Sequence, residues 1–205
     1  MSVDLVRAHF NVSRETSERL DIFAATLKKW NPKINLVSKG SLTCLWERHI
    51  LDSIQVFHAV ETPPSWLDLG SGGGLPGLIV AILAAELSPK TLITLIESDQ
   101  RKCAFLRNVA RECEISVLVK SERIETADPE NAHVISARAL ADLDTLLSFS
   151  KRHLQQGGVS VFPKGESWKK EVDNARERWR FECEEITSLT EPEAVILKIK
   201  GVERV

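Results

Sequence analysis

Ten residues, Asp68-Leu69-Gly70-Ser71-Gly72-Gly73-Gly74-Leu75-Pro76-Gly77, narrow what the middle of this chain can become. They follow a short apolar run, Trp66-Leu67-Asp68-Leu69, and lead into a stretch from Pro76 to Glu86 that reads as a helix. Glycines crowded into one loop cost backbone entropy, and no packing need explains them. A loop that must take positive φ and let a ligand approach its backbone does need them. Pro76 suits the first turn of a helix, where its missing N–H would have no partner anyway. A loop leaving the carboxyl end of a strand is where open α/β sheets bind ligands.

The rest of the chain supports such a sheet. Strands are predicted over 91–97, 115–120, 133–137 and 159–162, alternating with helices over 99–112, 142–155 and 166–179. Alternation of this kind means βαβ units and a mainly parallel sheet. Gly157-Gly158 reads as the stop of the helix before it. Two last strands, 181–186 and 194–200, have no helix between them and predict a hairpin at one edge. Residues 1–62 read as a helical extension packed on the main domain of 63–205. A short helix over 4–10 is followed by one capped by Ser13, with Leu20, Phe23, Ala24 and Leu27 on one stripe. It is expected to stop before Pro32, and the next helix to run from 41 to 59.

With 205 residues, 43% of them hydrophobic and 27% charged, the chain can bury one sizeable core. No apolar run reaches the roughly 18 residues of a membrane span. The first residues lack a basic segment followed by an apolar one, so no signal peptide and a cytoplasmic location are expected. Cys44, Cys103, Cys113 and Cys183 form no C-x-x-C pair and no zinc-ligand spacing with histidine. They are read as reduced thiols, with no metal site. A net charge of −2 argues against an indiscriminate nucleic-acid binder. It leaves room for a local basic face, and Lys28, Lys29, Lys33 and Lys39 lie in a stretch from Ile22 to Trp46 with no carboxylate. Trp30 among them could stack on a base. The alternative is a solvated helix end whose lysines answer the helix dipole. A second basic stretch, from Lys169 to Arg180, is diluted by carboxylates and reads as an exposed helix.

Two ligand classes compete for the glycine loop. Gly72 to Gly77 formally matches the dinucleotide pattern G-x-G-x-x-G, a weak signal alone. Asp68, Gly70, Gly72 and Gly74 instead make the D-x-G-x-G-x-G pattern that resembles Class I S-adenosylmethionine-dependent methyltransferases. There the acidic residue belongs with the cofactor's ammonium side. An aspartate facing a diphosphate would be electrostatically poor. Glu97, ending the second strand, suits ribose hydroxyls in either class. Asp99 reads as an N-cap. The turn at 121–125 would wall an adenine near Ile124 and Glu125.

Several motifs together resemble one family. They are Asn35-Leu-Val-Ser38, Arg48-His-Ile-Leu-Asp-Ser53, the glycine loop, Arg101-Lys-Cys-Ala-Phe-Leu-Arg107, Ser136-Ala-Arg-Ala139 and Pro163-Lys-Gly165. In residues and order they are similar to the bacterial small-subunit ribosomal RNA guanine-N7 methyltransferases, also called glucose-inhibited division protein B. The resemblance spans roughly residues 25–165 and departs at Ala137 and Pro163. It implies a Class I Rossmann-like α/β fold: a seven-stranded, mostly parallel sheet with helices on both faces and an N-terminal helical extension. It implies S-adenosylmethionine as methyl donor, and N7 of one guanine in 16S rRNA, naked or in the 30S particle, as acceptor. A monomer without membrane association is expected. Carried over by position, the cofactor contacts are Gly70, Leu75, Ile124, Glu125 and Arg138, beside Asp68, Gly72 and Glu97 from the pattern above.

Guanine N7 carries a lone pair in the neutral base. Methylating it needs alignment and a suitable field rather than a general base. Arg138 and Lys164, at expected strand ends, are assigned to orienting the acceptor, and Arg123 with Lys28, Lys29 and Lys33 to RNA phosphate. His49 and Asp52 are read as a polar contact tying the N-terminal helices to the sheet. The competing readings are a methyltransferase of another RNA or a small molecule, a nucleotide-dependent oxidoreductase, and a non-catalytic RNA-binding assembly protein. The length leaves little room for the oxidoreductase's substrate domain. The intact Asp68, glycine loop and Glu97 argue against decay to a binding protein.

Overall fold

The computed structural model describes residues 3–38, 40–61 and 63–205. Lys39, from the basic stretch, and Thr62, at the expected boundary, lie outside the described residues. Among the described residues, seven α-helices, α1 (Val3–His9), α2 (Arg14–Ile34), α3 (Asp52–His58), α4 (Gly77–Leu87), α5 (Gln100–Glu112), α6 (Leu143–His153) and α7 (Trp168–Arg176), surround one sheet. Its strands are β1 (Ser65–Leu69), β2 (Leu92–Ile96), β3 (Leu118–Lys120), β4 (Ala132–Ala137), β5 (Leu154–Lys164), β6 (Trp179–Thr187) and β7 (Val195–Arg204). The spatial order is β3-β2-β1-β4-β5-β7-β6. The first five strands pair in parallel, and β7 runs antiparallel between β5 and β6. The expected edge hairpin is present, with its second strand inserted inward.

Period-two alternation sorts the strand side chains onto two faces. Trp66, Val134, Val161 and Ile196 pack with residues of α2 to α5, including Phe23, Ile79 and Phe105. Leu67, Ile135, Phe162 and Leu197 pack on the other face with Leu147 of α6 and Val172 of α7. The N-terminal helices share the first of these clusters through Val6, Leu20, Phe23 and Leu27, so they complete the core.

Three local expectations are corrected. Helix α2 does not stop before Pro32 but runs to Ile34. A proline there removes one helical bond and crowds the preceding turn. Asn31 offsets this, because its Oδ1 accepts from the backbone N–H of Leu36 and Val37 at 2.7 and 2.8 Å. Asn35, with φ 49°, closes the helix by donating to the Asn31 carbonyl. The expected helix over 41–59 is broken into a 3-10 turn at Gly40–Cys44, a π-helical turn at Trp46–Leu51 and α3. The Arg48 carbonyl in the π turn accepts a 2.7 Å bond from Arg138 Nη2, so the irregular segment faces the strand ends. Finally, Gly157-Gly158 does not end α6. The helix ends at His153 and the glycines sit inside β5, where the pairing with β4 shifts register. A Cβ on Gly158 would lie 2.9 Å from the His133 carbonyl, so the glycine permits this close strand approach.

Candidate functional site

Two hollows open at the carboxyl ends of the parallel strands and meet at Ala139, which lines both. The smaller, about 310 Å³, lies between the glycine loop, the end of β2 and the turn after β3. The larger, about 480 Å³, lies between the ends of β4 and β5, the π turn and the turn between β6 and β7.

Gly70, Gly72 and Gly74 all take positive φ, as the sequence pattern requires. Ser71 N–H donates to the Ile96 carbonyl at 3.1 Å, and Gly72 N–H donates to Glu97 Oε2 at 2.9 Å. Glu97 Oε1 accepts from Asp99 N–H at 2.8 Å. One mostly buried carboxylate thus joins the loop to the start of α5, and Asp99 caps that helix as expected. Each carboxylate oxygen keeps a second lone pair for a ligand. Gly70, Gly72, Glu97, Ile124 and Glu125 line this groove together, with Arg123 exposed at its rim.

Asp68 and Leu75 are placed differently. Neither side chain lines the groove. Leu75 packs in the core. Asp68 is 1% exposed, and its Oδ1 accepts from Ser136 Oγ at 2.6 Å. The same hydroxyl accepts from Trp66 Nε1 at 2.9 Å. Burial pushes the Asp68 carboxyl up to about 6 against the Ser136 hydrogen bond. A Cβ on Gly77 would meet its Oδ2 at 2.5 Å. Asp68 therefore supports the loop from beneath, linking β1, β4 and the start of α4, and this geometry replaces the reading of direct contact with the cofactor.

The larger hollow gathers Arg48, His49, Asp52, Arg138 and Lys164. Arg138 belongs to this hollow and not to the groove, which separates it from the other expected cofactor contacts. Lys164 is nearly buried, its Nζ donating to Glu171 Oε2 at 2.7 Å and to the Ala141 carbonyl at 3.0 Å. This ties α7 to the end of β5 and commits two of the three ammonium donors. Asp52 Oδ1 accepts from Thr190 and, at 3.4 Å, from Gln55. Gln55 Oε1 in turn accepts from Leu189 N–H at 2.8 Å. The expected polar tie exists, but it runs to the β6–β7 turn and leaves His49 out.

Both His49 ring nitrogens are buried, and among the described residues neither has a hydrogen-bond partner. Burial, then Arg138 and Arg48, lower its pKa to about 4. A base whose folded pKa is depressed binds fewer protons folded than unfolded, so stability is lost as pH falls from about 6.5 towards 4. His49→Gln should lose less over that window. Melting curves at pH 7.5 and 4.5 should show the variant's drop smaller by roughly 2–4 °C. Equal drops would contradict a buried neutral imidazole.

Lys28, Lys29 and Lys33 are exposed on α2 and enter neither hollow. Trp30 is half-buried and packs edge-on against Phe105, with ring centroids 5.8 Å apart. Sequence reading missed Lys102 and Leu140 in the groove and Gln55, Thr190 and Glu191 in the larger hollow. All four cysteines are free, and among the described residues no helix is long and apolar enough to cross a membrane.

The strand order, the glycine loop and the acidic residue ending β2 define a Class I methyltransferase architecture. Solved structures agree on the fold. A methyltransferase from Geobacter sulfurreducens superposes with a TM-score of 0.62 at 10% identity, covering 97% of this chain and 96% of that one. A fibrillarin/Nop5p complex gives 0.56 at 12% identity, covering 75% and 81%. The family model for rRNA small subunit methyltransferase G matches residues 16–198. Ribosomal RNA small subunit methyltransferase G of Ruegeria sp. (strain TM1040) is 72% identical over 195 residues, covering 95% of each chain. The protein of that name from Ruegeria pomeroyi is 62% identical, covering 95% and 96%. The chain belongs to the rRNA small subunit methyltransferase G (GidB) family.

Proposed function

We propose that this protein transfers a methyl group from S-adenosylmethionine to N7 of a guanine in 16S rRNA, acting in the cytoplasm on the rRNA or the 30S particle. One observation carries the reading: a nucleoside-sized groove and a larger hollow lie side by side at the strand ends and share Ala139. The groove's donor set suits S-adenosylmethionine. Glu97 offers spare lone pairs to a ribose diol, and Ile124 and Glu125 flank the place for adenine. Among the described residues, a Cβ on Gly72 would find only the Gly70 carbonyl within 4 Å, so the loop leaves room for the cofactor's amino-acid end. The sulfonium methyl is the electrophile that the bound cofactor supplies.

The chain's own residues then have three tasks. The glycine loop and Glu97 hold the nucleoside. Ala139 marks the opening between the two hollows. Arg138 and its neighbours hold the base in the larger hollow so that N7 faces that opening. No proton has to leave N7, so alignment and electrostatics carry the acceleration. Exposed Arg123, Lys28, Lys29 and Lys33 supply sequence-independent attraction for phosphate outside the cleft.

Gly70→Val tests the groove. Gly70 has φ +62°, and an added Cβ would lie 2.5 Å from Leu140 Cδ1, a side chain of the groove wall. A β-branched residue is strained at that φ and would push Leu140 into the ligand space. Calorimetry should show S-adenosylmethionine affinity at least ~10-fold weaker. Undiminished affinity in a folded variant would remove the glycine loop from the site. Nucleoside analysis of 16S rRNA from cells lacking this gene tests the acceptor. 7-Methylguanosine should be lost and return with the gene; its persistence would overturn the reading.

A further inference from the structure

We infer that Arg138 and Asp52 together read the acceptor base, Arg138 donating to guanine O6 and Asp52 accepting from guanine N1–H. This rests on the rRNA guanine methyltransferase reading above and assigns its base specificity to named groups.

The two side chains stand next to one another in the larger hollow, with Arg138 Nη2 3.8 Å from Asp52 Oδ2. That is too long for a hydrogen bond, so the pair does not satisfy itself. Each is held in place by other partners. Arg138 Nη2 donates to the Arg48 carbonyl at 2.7 Å, and a guanidinium has further N–H donors to offer. Thr190 and Gln55 both donate to Asp52 Oδ1, leaving Oδ2 on the Arg138 side. The result is a pre-positioned donor beside a pre-positioned acceptor.

Guanine presents the complement. Its O6 accepts and the neighbouring N1–H donates. Adenine presents the inverse, an amino donor at position 6 and an acceptor at N1. Adenine in this place would set donor against donor and acceptor against acceptor, a mismatch that buried polar groups penalise strongly. The grip also leaves the right atom free, because N7 adjoins O6 on the far side from N1. The base would enter extruded from its stack, as enzymes that act on a single base commonly require.

His49 lines the same hollow, with both ring nitrogens turned away from its surface. Arg48, bonded to Glu191 at 3.2 Å, closes the rim on this side without occupying the pair.

The test uses 30S particles reconstituted with guanine, inosine or adenine at the acceptor position. Inosine keeps O6 and N1–H and lacks only the 2-amino group. The wild-type protein should methylate inosine within about fivefold of guanine and adenine at least ~100-fold more slowly. Asp52→Asn should slow transfer to guanine at least ~30-fold, with unchanged S-adenosylmethionine affinity and a smaller guanine-over-adenine preference. Asp52→Glu should recover part of both. Rejection of inosine along with adenine would overturn the assignment, since the 2-amino group would then be the determinant. So would a folded Asp52→Asn protein with unaltered rate and preference. The wild-type base series gives its answer even if that variant does not fold. A wild-type protein that methylates none of the particles would instead contradict the rRNA methyltransferase reading itself.

Discussion

Glu97→Ala should abolish measurable S-adenosylmethionine binding, with Kd raised at least ~100-fold. The carboxylate is mostly buried and accepts from two backbone donors, Gly72 N–H at 2.9 Å and Asp99 N–H at 2.8 Å. Hydrogen bonds to a charged group are worth roughly 1.5–3 kcal/mol each. Removing this acceptor orphans both donors, frees the glycine loop and takes away the ribose contact, and each loss acts on the same ligand. Two hydrogen bonds of that strength from the ribose diol to Glu97 would by themselves amount to a factor of about 100 or more in Kd. Glu97→Gln keeps one acceptor oxygen and should fall between, at about 10-fold. Calorimetry with S-adenosylmethionine measures both variants. An alanine variant that melts cooperatively and binds within threefold of wild type would contradict the assignment of the groove.

The second large effect falls on the other hollow. Arg138→Ala should lower kcat for rRNA methylation ~100-fold or more while changing S-adenosylmethionine affinity less than about threefold. The family resemblance gives Arg138 to the cofactor and its place at a strand end gives it to the acceptor, whereas the structure places it in the lining of the larger hollow. Its guanidinium is 19% exposed, reaches the Arg48 carbonyl and stands 3.8 Å from Asp52. Truncation therefore removes one of the three cations that line the hollow with Arg48 and Lys164, and it is the one that stands beside the Asp52 carboxylate. Arg138→Lys keeps the charge but not the planar fork, so it should restore only a small part of the rate. A loss of cofactor affinity equal to the loss of rate would return Arg138 to the cofactor groove.

The sequence made the architecture legible wherever information was local. The β-branched runs, the Ser13 and Asp99 caps and the crowded glycines each act within a few residues, and the structure places each as expected. The errors arose where distant contacts outweigh local preference. Pro32 signals a helix end, yet the side chain of Asn31 holds the turn beyond it. Gly157-Gly158 reads as a helix stop, yet the pair lies where β5 passes the His133 carbonyl. The site divides in the same way. Glu97 and the glycine loop are neighbours through one βα unit and can be read from spacing. Asp68 is also part of that pattern, but only the buried Ser136 hydroxyl and the start of α4 reveal that it works from beneath the loop. Thr190, Glu191 and Gln55 join the larger hollow because the β6–β7 turn folds onto the π turn and α3. That contact spans well over a hundred residues, and no local pattern announces it.

Methyl transfer in vitro tests donor, acceptor and site together. The purified protein would be incubated with radiolabelled S-adenosylmethionine and with 16S rRNA or 30S particles lacking the modification, followed by nucleoside analysis. Label should appear in 7-methylguanosine of 16S rRNA, be absent with Glu97→Ala and be strongly reduced with Arg138→Ala. Unlabelled RNA, from a protein that still binds S-adenosylmethionine, would contradict the rRNA methyltransferase reading.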